Sequence, residues 1–182
     1  MVQTRARPKK TVEDYMKLPE GTRAELIEGE ILMSPSPKFI HQRTVSNLHV
    51  GLRQFVDARR LGVVVDAPMD VHLPGGEIVQ PDVIFVASEH RAIVQDWIRG
   101  VPDLVIEVIS PESIERDRIV KREIYARSGV REYWIVDSAE RTVEVLRLSG
   151  SNYEPFGYFR EPGSVTSSIL VGLALPVHSI FE

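Results

Sequence analysis

Val101-Pro-Asp-Leu-Val-Ile-Glu-Val-Ile-Ser-Pro111 is among the most apolar stretches of the chain, and a carboxylate, Glu107, stands in its middle. The run reads as a short strand between two proline stops. Strand alternation sends Leu104, Ile106 and Val108 to one side and Val105, Glu107 and Ile109 to the other. Both sides are apolar, the pattern of a strand covered on both faces. An ionised carboxylate buried there without a partner would neutralise instead, so a cation is expected beside it. A metal, a lysine or an arginine would serve.

Candidates lie on either side. Upstream, Gly75-Gly76 turns the chain into a second apolar strand running to Val86, and Asp82 stands at its mouth, directly after Pro81. Downstream, Arg116 to Ser128 reads as a helix stopped by Gly129, at the position where left-handed caps occur. Asp117, Lys121 and Tyr125 are spaced four apart on it and share one face. Two carboxylates and an ammonium, Asp82, Glu107 and Lys121, are the minimum set for metal-assisted attack of water on a phosphodiester. Magnesium and similar hard cations take oxygen ligands and keep several waters, so Asp82 and Glu107 would suffice as protein ligands. A metal there would polarise a phosphoryl oxygen and acidify a bound water. Lys121 would orient that water or offset charge developing in the transition state.

Other polar residues carry less. His41 and His49 are eight apart on one helix and form no His-x-x-x-His pair. His41, near the helix start, can reach the site, whereas His49 reads as a packed or surface residue. Ser110 and Ser113 flank Pro111 without a nucleophile elbow, and Gly62, Gly75 and Gly76 make no phosphate-cradling loop.

The remaining elements follow from punctuation and period. Thr11 with Asp14 is a capping box opening a short helix that stops before Pro19. Ala24 to Ile27 and Glu30 to Met33 form a hairpin around Glu28-Gly29. Val45, Leu48, Leu52, Phe55 and Val56 fall at helical spacing between Phe39 and Arg60, with Gly62 ending the pattern. Val63 to Leu73 reads as one strand, joined by Pro74-Gly75-Gly76 to the Asp82 strand, and a short helix is expected around Trp97. Glu132 to Asp137, Thr142 to Leu148 and Tyr153 to Arg160 are further strands, and the apolar tail from Ile169 to Phe181 is expected to pack on the core. Three strands run through short turns before the next helix, which predicts a mixed α/β (α+β) sheet flanked by helices, not a doubly wound one.

The 182 residues are enough for one domain with a core of its own. The absence of cysteine excludes disulfides and thiolate zinc sites. No apolar run approaches the ~20 residues of a membrane helix, and the basic start has no apolar stretch behind it, so a cytoplasmic location is expected. A net charge of −4 argues against non-specific coating of nucleic acid, though not against an enzyme meeting DNA through a local patch. Arg5, Arg7, Lys9 and Lys10 form one basic cluster, in a tail over residues 1–10 expected to be flexible. Arg116, Arg118, Lys121, Arg122, Arg127 and Arg131 form another, diluted by Glu115, Asp117, Glu123 and Glu132 as on a solvated helix face.

Ala24-Glu-Leu-Ile-Glu-Gly-Glu30, Pro81-Asp82-Val83, Leu104 to Pro111, Lys121 with Tyr125, and Gly129 to Asp137 occur in one order. Together they resemble the Uma-two family of restriction-type endonucleases, within the PD-(D/E)xK nuclease superfamily, from about residue 11 to the C-terminus. The resemblance implies a restriction-endonuclease-like mixed sheet over 11–182, a magnesium- or manganese-dependent site, DNA as substrate and often a homodimer. Position by position, Asp82 matches the motif aspartate, Glu107 the second acidic residue, and Glu25 an N-terminal glutamate that completes the metal site. The superfamily lysine belongs two residues after Glu107, where Ile109 stands; Lys121 is expected to supply the ammonium instead. The alternative functions are a non-catalytic nuclease-like scaffold binding protein or nucleic acid, and a hydrolase of small nucleotides or other phosphodiesters.

Overall fold

The computed structural model describes residues 8–182, so Arg5 and Arg7 and most of the expected tail lie outside it. Lys10 is within it, its N–H donating to Gly29 O at 2.7 Å. Helix α1 (Val12–Tyr15) carries the expected reciprocal cap: Asp14 N donates to Thr11 Oγ1 at 3.2 Å and Thr11 N to Asp14 Oδ2 at 3.1 Å. Strands β1 (Ala24–Ile27) and β2 (Glu30–Met33) form the hairpin. Glu28 and Gly29 fill its turn with φ of 53° and 84°, the geometry whose twist matches the strands. Helix α2 (Phe39–Arg59) buries Val45, Leu48, Leu52 and Val56, and closes on a left-handed Arg60 rather than at Gly62.

The single strands expected on either side of the Gly75-Gly76 turn are each two. The first divides into β3 (Gly62–Asp66) and β4 (Val71–His72), the second into β5 (Ile78–Val79) and β6 (Val83–Ala87). Pro68 and Pro81 stand at the two breaks. A proline has no N–H for the ladder, and at each the chain passes from one sheet to the other. No helix forms around Trp97; a 3₁₀ turn covers Ser88–Ile93 and a strand, β7 (Ile98–Arg99), pairs in parallel with β4.

β8 (Leu104–Ile109) is followed by a π-helical run (Arg116–Lys121) that continues as α3 (Arg122–Ser128) and ends on Gly129, φ 93°. β9 (Glu132–Asp137), β10 (Thr142–Ser149) and β11 (Asn152–Phe159) come next, then a small pair, β12 (Ser164–Val165) and β13 (Leu175–Pro176), and α4 (Val177–Phe181). The main sheet has the order β11-β10-β9-β8-β6-β3 and is mixed, since of its neighbouring pairs only β8 and β9 run parallel. Their crossover is the π-helical run with α3. The second sheet, β2-β1-β5-β4-β7, was not legible as a separate layer.

β8 alternates as read. Leu104, Ile106 and Val108 pack with α2, with Trp134 and with the C-terminal Leu170, Leu173, Val177 and Ile180. Val105 and Ile109 pack on the opposite face with Ile124, Tyr125 and Tyr133. A large aliphatic side chain fully buried in such a core contributes about 1.5–3 kcal/mol, so the two apolar faces hold β8 between them. Glu107 is therefore carried on a strand packed from both faces.

Candidate active site

Asp82 and Glu107 meet because of strand register. Val83 pairs with Ile106, and one step outward in the same antiparallel ladder Asp82 comes opposite Glu107. Asp82 Oδ2 accepts the Val108 N–H at 2.7 Å, which ties the mouth of β6 to β8. His41, in the first turns of α2, brings Nε2 to 3.4 Å from the same oxygen. Burial opposes its protonation, but the hydrogen bond and charge of Asp82 outweigh that and raise the His41 pKa.

Lys121 does point inward. Its Nζ lies 2.9 Å from Glu107 Oε1, 2.8 Å from Glu25 Oε1 and 3.8 Å from Asp117 Oδ1, and its side chain is 3 % exposed. Tyr125 donates its hydroxyl to the same Glu107 Oε1 at 2.6 Å. Glu25, from β1, also accepts the Gln80 N–H at 2.9 Å, so the second sheet brings a third carboxylate to the cluster. The wide π turn carries Asp117 and Lys121, and Tyr133 donates to the Asp117 carbonyl at 2.9 Å from beneath it. All five side chains expected to contribute beside Asp82 (Glu25, His41, Glu107, Lys121 and Tyr125) thus join one site.

The electrostatics are lopsided. Burial first, then the neighbouring Asp117, Asp82 and Glu25, push the Glu107 carboxyl well above the usual range, with Lys121 opposing them. Burial likewise raises Asp117, again against Lys121. For Lys121 burial favours the neutral amine, but Glu107, Glu25 and Asp117 outweigh it and hold the ammonium form. Burial and Glu107 raise Tyr125, which stays a hydroxyl donor. Four carboxyl groups, those of Glu25, Asp82, Glu107 and Asp117, meet two permanently cationic side chains, Lys121 and Arg116. Asp117 Oδ1 is buried with no hydrogen-bond partner, so positive charge is undersupplied.

That imbalance suits a hard divalent cation. Asp82 commits Oδ2, and Glu107 commits Oε1, to protein groups, while Asp82 Oδ1 and Glu107 Oε2 bond to none of the described residues. Two such oxygens are a sufficient protein contribution for magnesium, which keeps waters for its other positions. Among the described residues no group of three or more His, Cys, Asp or Glu side chains forms a ready-made cage.

Sequence reading missed Asp117 and Arg116 as members, although the four-residue spacing of Asp117 from Lys121 was visible. The charges from 115 to 132 divide: Glu115, Glu123, Arg127 and Arg131 are exposed, as on a solvated face, and the others are not. Asp117, Lys121 and Glu132 are buried, and Arg118, Arg122, Arg127 and Arg131 are held by Glu144, the Tyr153 carbonyl, Glu77 and Asp103. His49 pairs with Asp66 at 2.7 Å, away from the cluster, and Ser113 Oγ accepts the Ser110 N–H at 3.0 Å in a local turn.

A family model described as "Uma2: Putative restriction endonuclease" matches residues 12–178. A search among curated proteins found no match. Among solved structures, that of "a putative nuclease belonging to DUF820 from Anabaena variabilis ATCC 29413" shares the fold, with a TM-score of 0.78 at 23 % identity over 94 % of this chain and 97 % of that one. No helix among the described residues is long and apolar enough to cross a membrane.

Proposed function

The chain belongs to the Uma2 family, and from that membership together with the cluster around Lys121 we propose a metal-dependent endonuclease that hydrolyses DNA phosphodiester bonds. One observation carries the reading: two carboxylates side by side in register, each with an oxygen unclaimed by the described residues, next to a buried ammonium. Asp82 and Glu107 would hold magnesium or manganese, whose chemistry when bound is Lewis-acid polarisation of a phosphoryl oxygen. Tyr125 and Lys121 keep Glu107 Oε1 occupied and so leave Oε2 as the available oxygen. Glu25 and Asp117 hold Lys121 charged, and its fixed positive charge offsets negative charge developing at the phosphate. His41 orients Asp82 from the other side. Residues 11–182 act as the catalytic unit, and a homodimer would offer one site to each strand of a duplex.

The test is a plasmid-nicking assay with magnesium or manganese. Wild type cleaves; Asp82→Asn and Glu107→Gln do not, while keeping a native circular-dichroism spectrum. Cleavage by the double variant at the wild-type rate sinks the proposal. The burial of Lys121 favours one rival, a nuclease-like scaffold without catalysis. It predicts a wild type that neither cleaves nor gains melting temperature on adding metal.

A further inference from the structure

Lys121, the ammonium of the proposed site, is sealed in. With 3 % of its side chain exposed and carboxylates at 2.8 and 2.9 Å, it cannot meet a DNA phosphate without giving up Glu25 or Glu107. A phosphodiester is an anion approaching a site already rich in carboxylates, so beside the metal a second, accessible protein cation is needed to receive it. Resting on the nuclease reading, we infer that Arg116 is the residue that binds the scissile phosphodiester.

Its surroundings set it apart from its neighbours. Arg118 donates to Glu144 Oε2 at 2.8 Å, Arg122 to the Tyr153 carbonyl at 3.2 Å and Arg131 to Asp103 Oδ1 at 3.2 Å, while Arg127 is paired with Glu77. The Arg116 guanidinium makes no hydrogen bond among the described residues. Its Nε is buried and unpartnered, 4.0 Å from Glu25 Oε2 and 3.8 Å from Asp117 Oδ1. Those separations are Coulombic and too long for hydrogen bonds. They hold the guanidinium over the cluster without consuming its donors. Thirty per cent of the side chain is exposed, so the fork is accessible where Lys121 is not. A guanidinium is planar, permanently charged and matched to two phosphate oxygens at once, a geometry that an ammonium lacks. Nearness to Glu25 and Asp117 also places it beside the residues that hold Lys121, so the bound phosphate would lie against the catalytic cluster.

The experiment measures binding of a short fluorescent duplex by anisotropy, with calcium in place of magnesium, across a salt series, and nicking kinetics with magnesium. Arg116→Gln is expected to bind about 10- to 100-fold more weakly. Its slope of log affinity against log salt should be shallower by about 0.9, one phosphate contact fewer. Its KM should rise accordingly. Arg116→Lys should keep the slope but recover only part of the affinity, and it decides the matter if the glutamine variant fails to fold. Arg118→Gln should match wild type in affinity and KM. Unchanged affinity and slope in Arg116→Gln, or a lower melting temperature as its only effect, overturns the inference and assigns Arg116 to balancing Glu25 and Asp117. Wild type that neither binds nor nicks the DNA overturns the nuclease reading itself, an outcome separable because it needs no variant.

Discussion

Two buried glutamates stand on adjacent parallel strands and have opposite surroundings. Glu132 pairs in register with Leu104 at one end of the β8–β9 ladder, and Glu107 with Ile135 towards the other. Alternation puts them on opposite faces of the sheet. Glu132 accepts the Trp134 indole N–H at 2.7 Å, the Ser167 hydroxyl at 2.6 Å, the Ser168 N–H at 2.6 Å and the Ser168 hydroxyl. All four donors are neutral, and together they tie the C-terminal segment to the sheet. Glu107 has an ammonium and a phenol on one oxygen, and three further carboxylates press on it electrostatically. Burial and apolar neighbours are common to both. A structural tie and a site differ in whether the buried charge is satisfied by neutral donors or crowded by like charge.

Removing the cation should break that contrast most forcefully. Lys121→Met leaves Glu107 and Glu25 buried without their ammonium and should cost about 3–5 kcal/mol in urea unfolding. Pairing it with Glu107→Gln should restore much of the loss, because the coupling term returns with the second charge removed. A single variant as stable as wild type would mean that ionic pairing is not what holds the cluster. Next comes the same substitution at both glutamates. Glu107→Gln should lower cleavage by about 100- to 1,000-fold with little change in melting. Glu132→Gln should destabilise by about 2–3 kcal/mol, since an amide NH₂ would face donors, and leave the rate per folded molecule intact. Similar outcomes at the two positions would dissolve the distinction. Manganese sharpens it from the ligand side. At about 100 times its dissociation constant it should stabilise wild type and Glu132→Gln by about 2.7 kcal/mol in a melting curve, and leave Glu107→Gln unmoved.

Sequence made one of these two glutamates legible and hid the other. Glu107 interrupts a two-faced apolar strand whose period is unambiguous, and Asp82 and Lys121 follow from a proline-marked strand mouth and from helical spacing. Glu132 opens an equally strong strand, yet in the sequence it sits among charges that read as a solvated helix face, and its donors, Ser167 and Ser168, lie 35 and 36 residues away in an irregular segment. The same blindness hid the second sheet. Its members are two to four residues long, too short for a period to register, and their pairing depends on turns around Pro68 and Pro81. Glu25 was visible only through family resemblance, since nothing local says that β1 crosses towards Lys121.

A slope against pH, smaller per unit than any of these differences, probes the charge crowding directly. Glu107 binds a proton more tightly in the folded protein than in the unfolded chain, because burial and then its neighbouring carboxylates raise its pKa. The stability this provides is complete below the ordinary carboxyl value of 4.5 and is lost as pH rises through the folded value. Lys121 is raised as well, since Glu107, Glu25 and Asp117 outweigh its burial, so its contribution stays whole below its ordinary value of 10.5 and does not change in the same window. Metal-free wild type should therefore lose stability relative to Glu107→Gln from pH 4.5 towards neutrality, at up to about 1.4 kcal/mol per pH unit. Denaturant titrations of both proteins in chelator read that difference, and a flat one would mean that Glu107 is no more crowded than Glu132. Manganese must displace the same proton to bind, so its stabilisation of wild type should grow over the range in which the apo protein weakens.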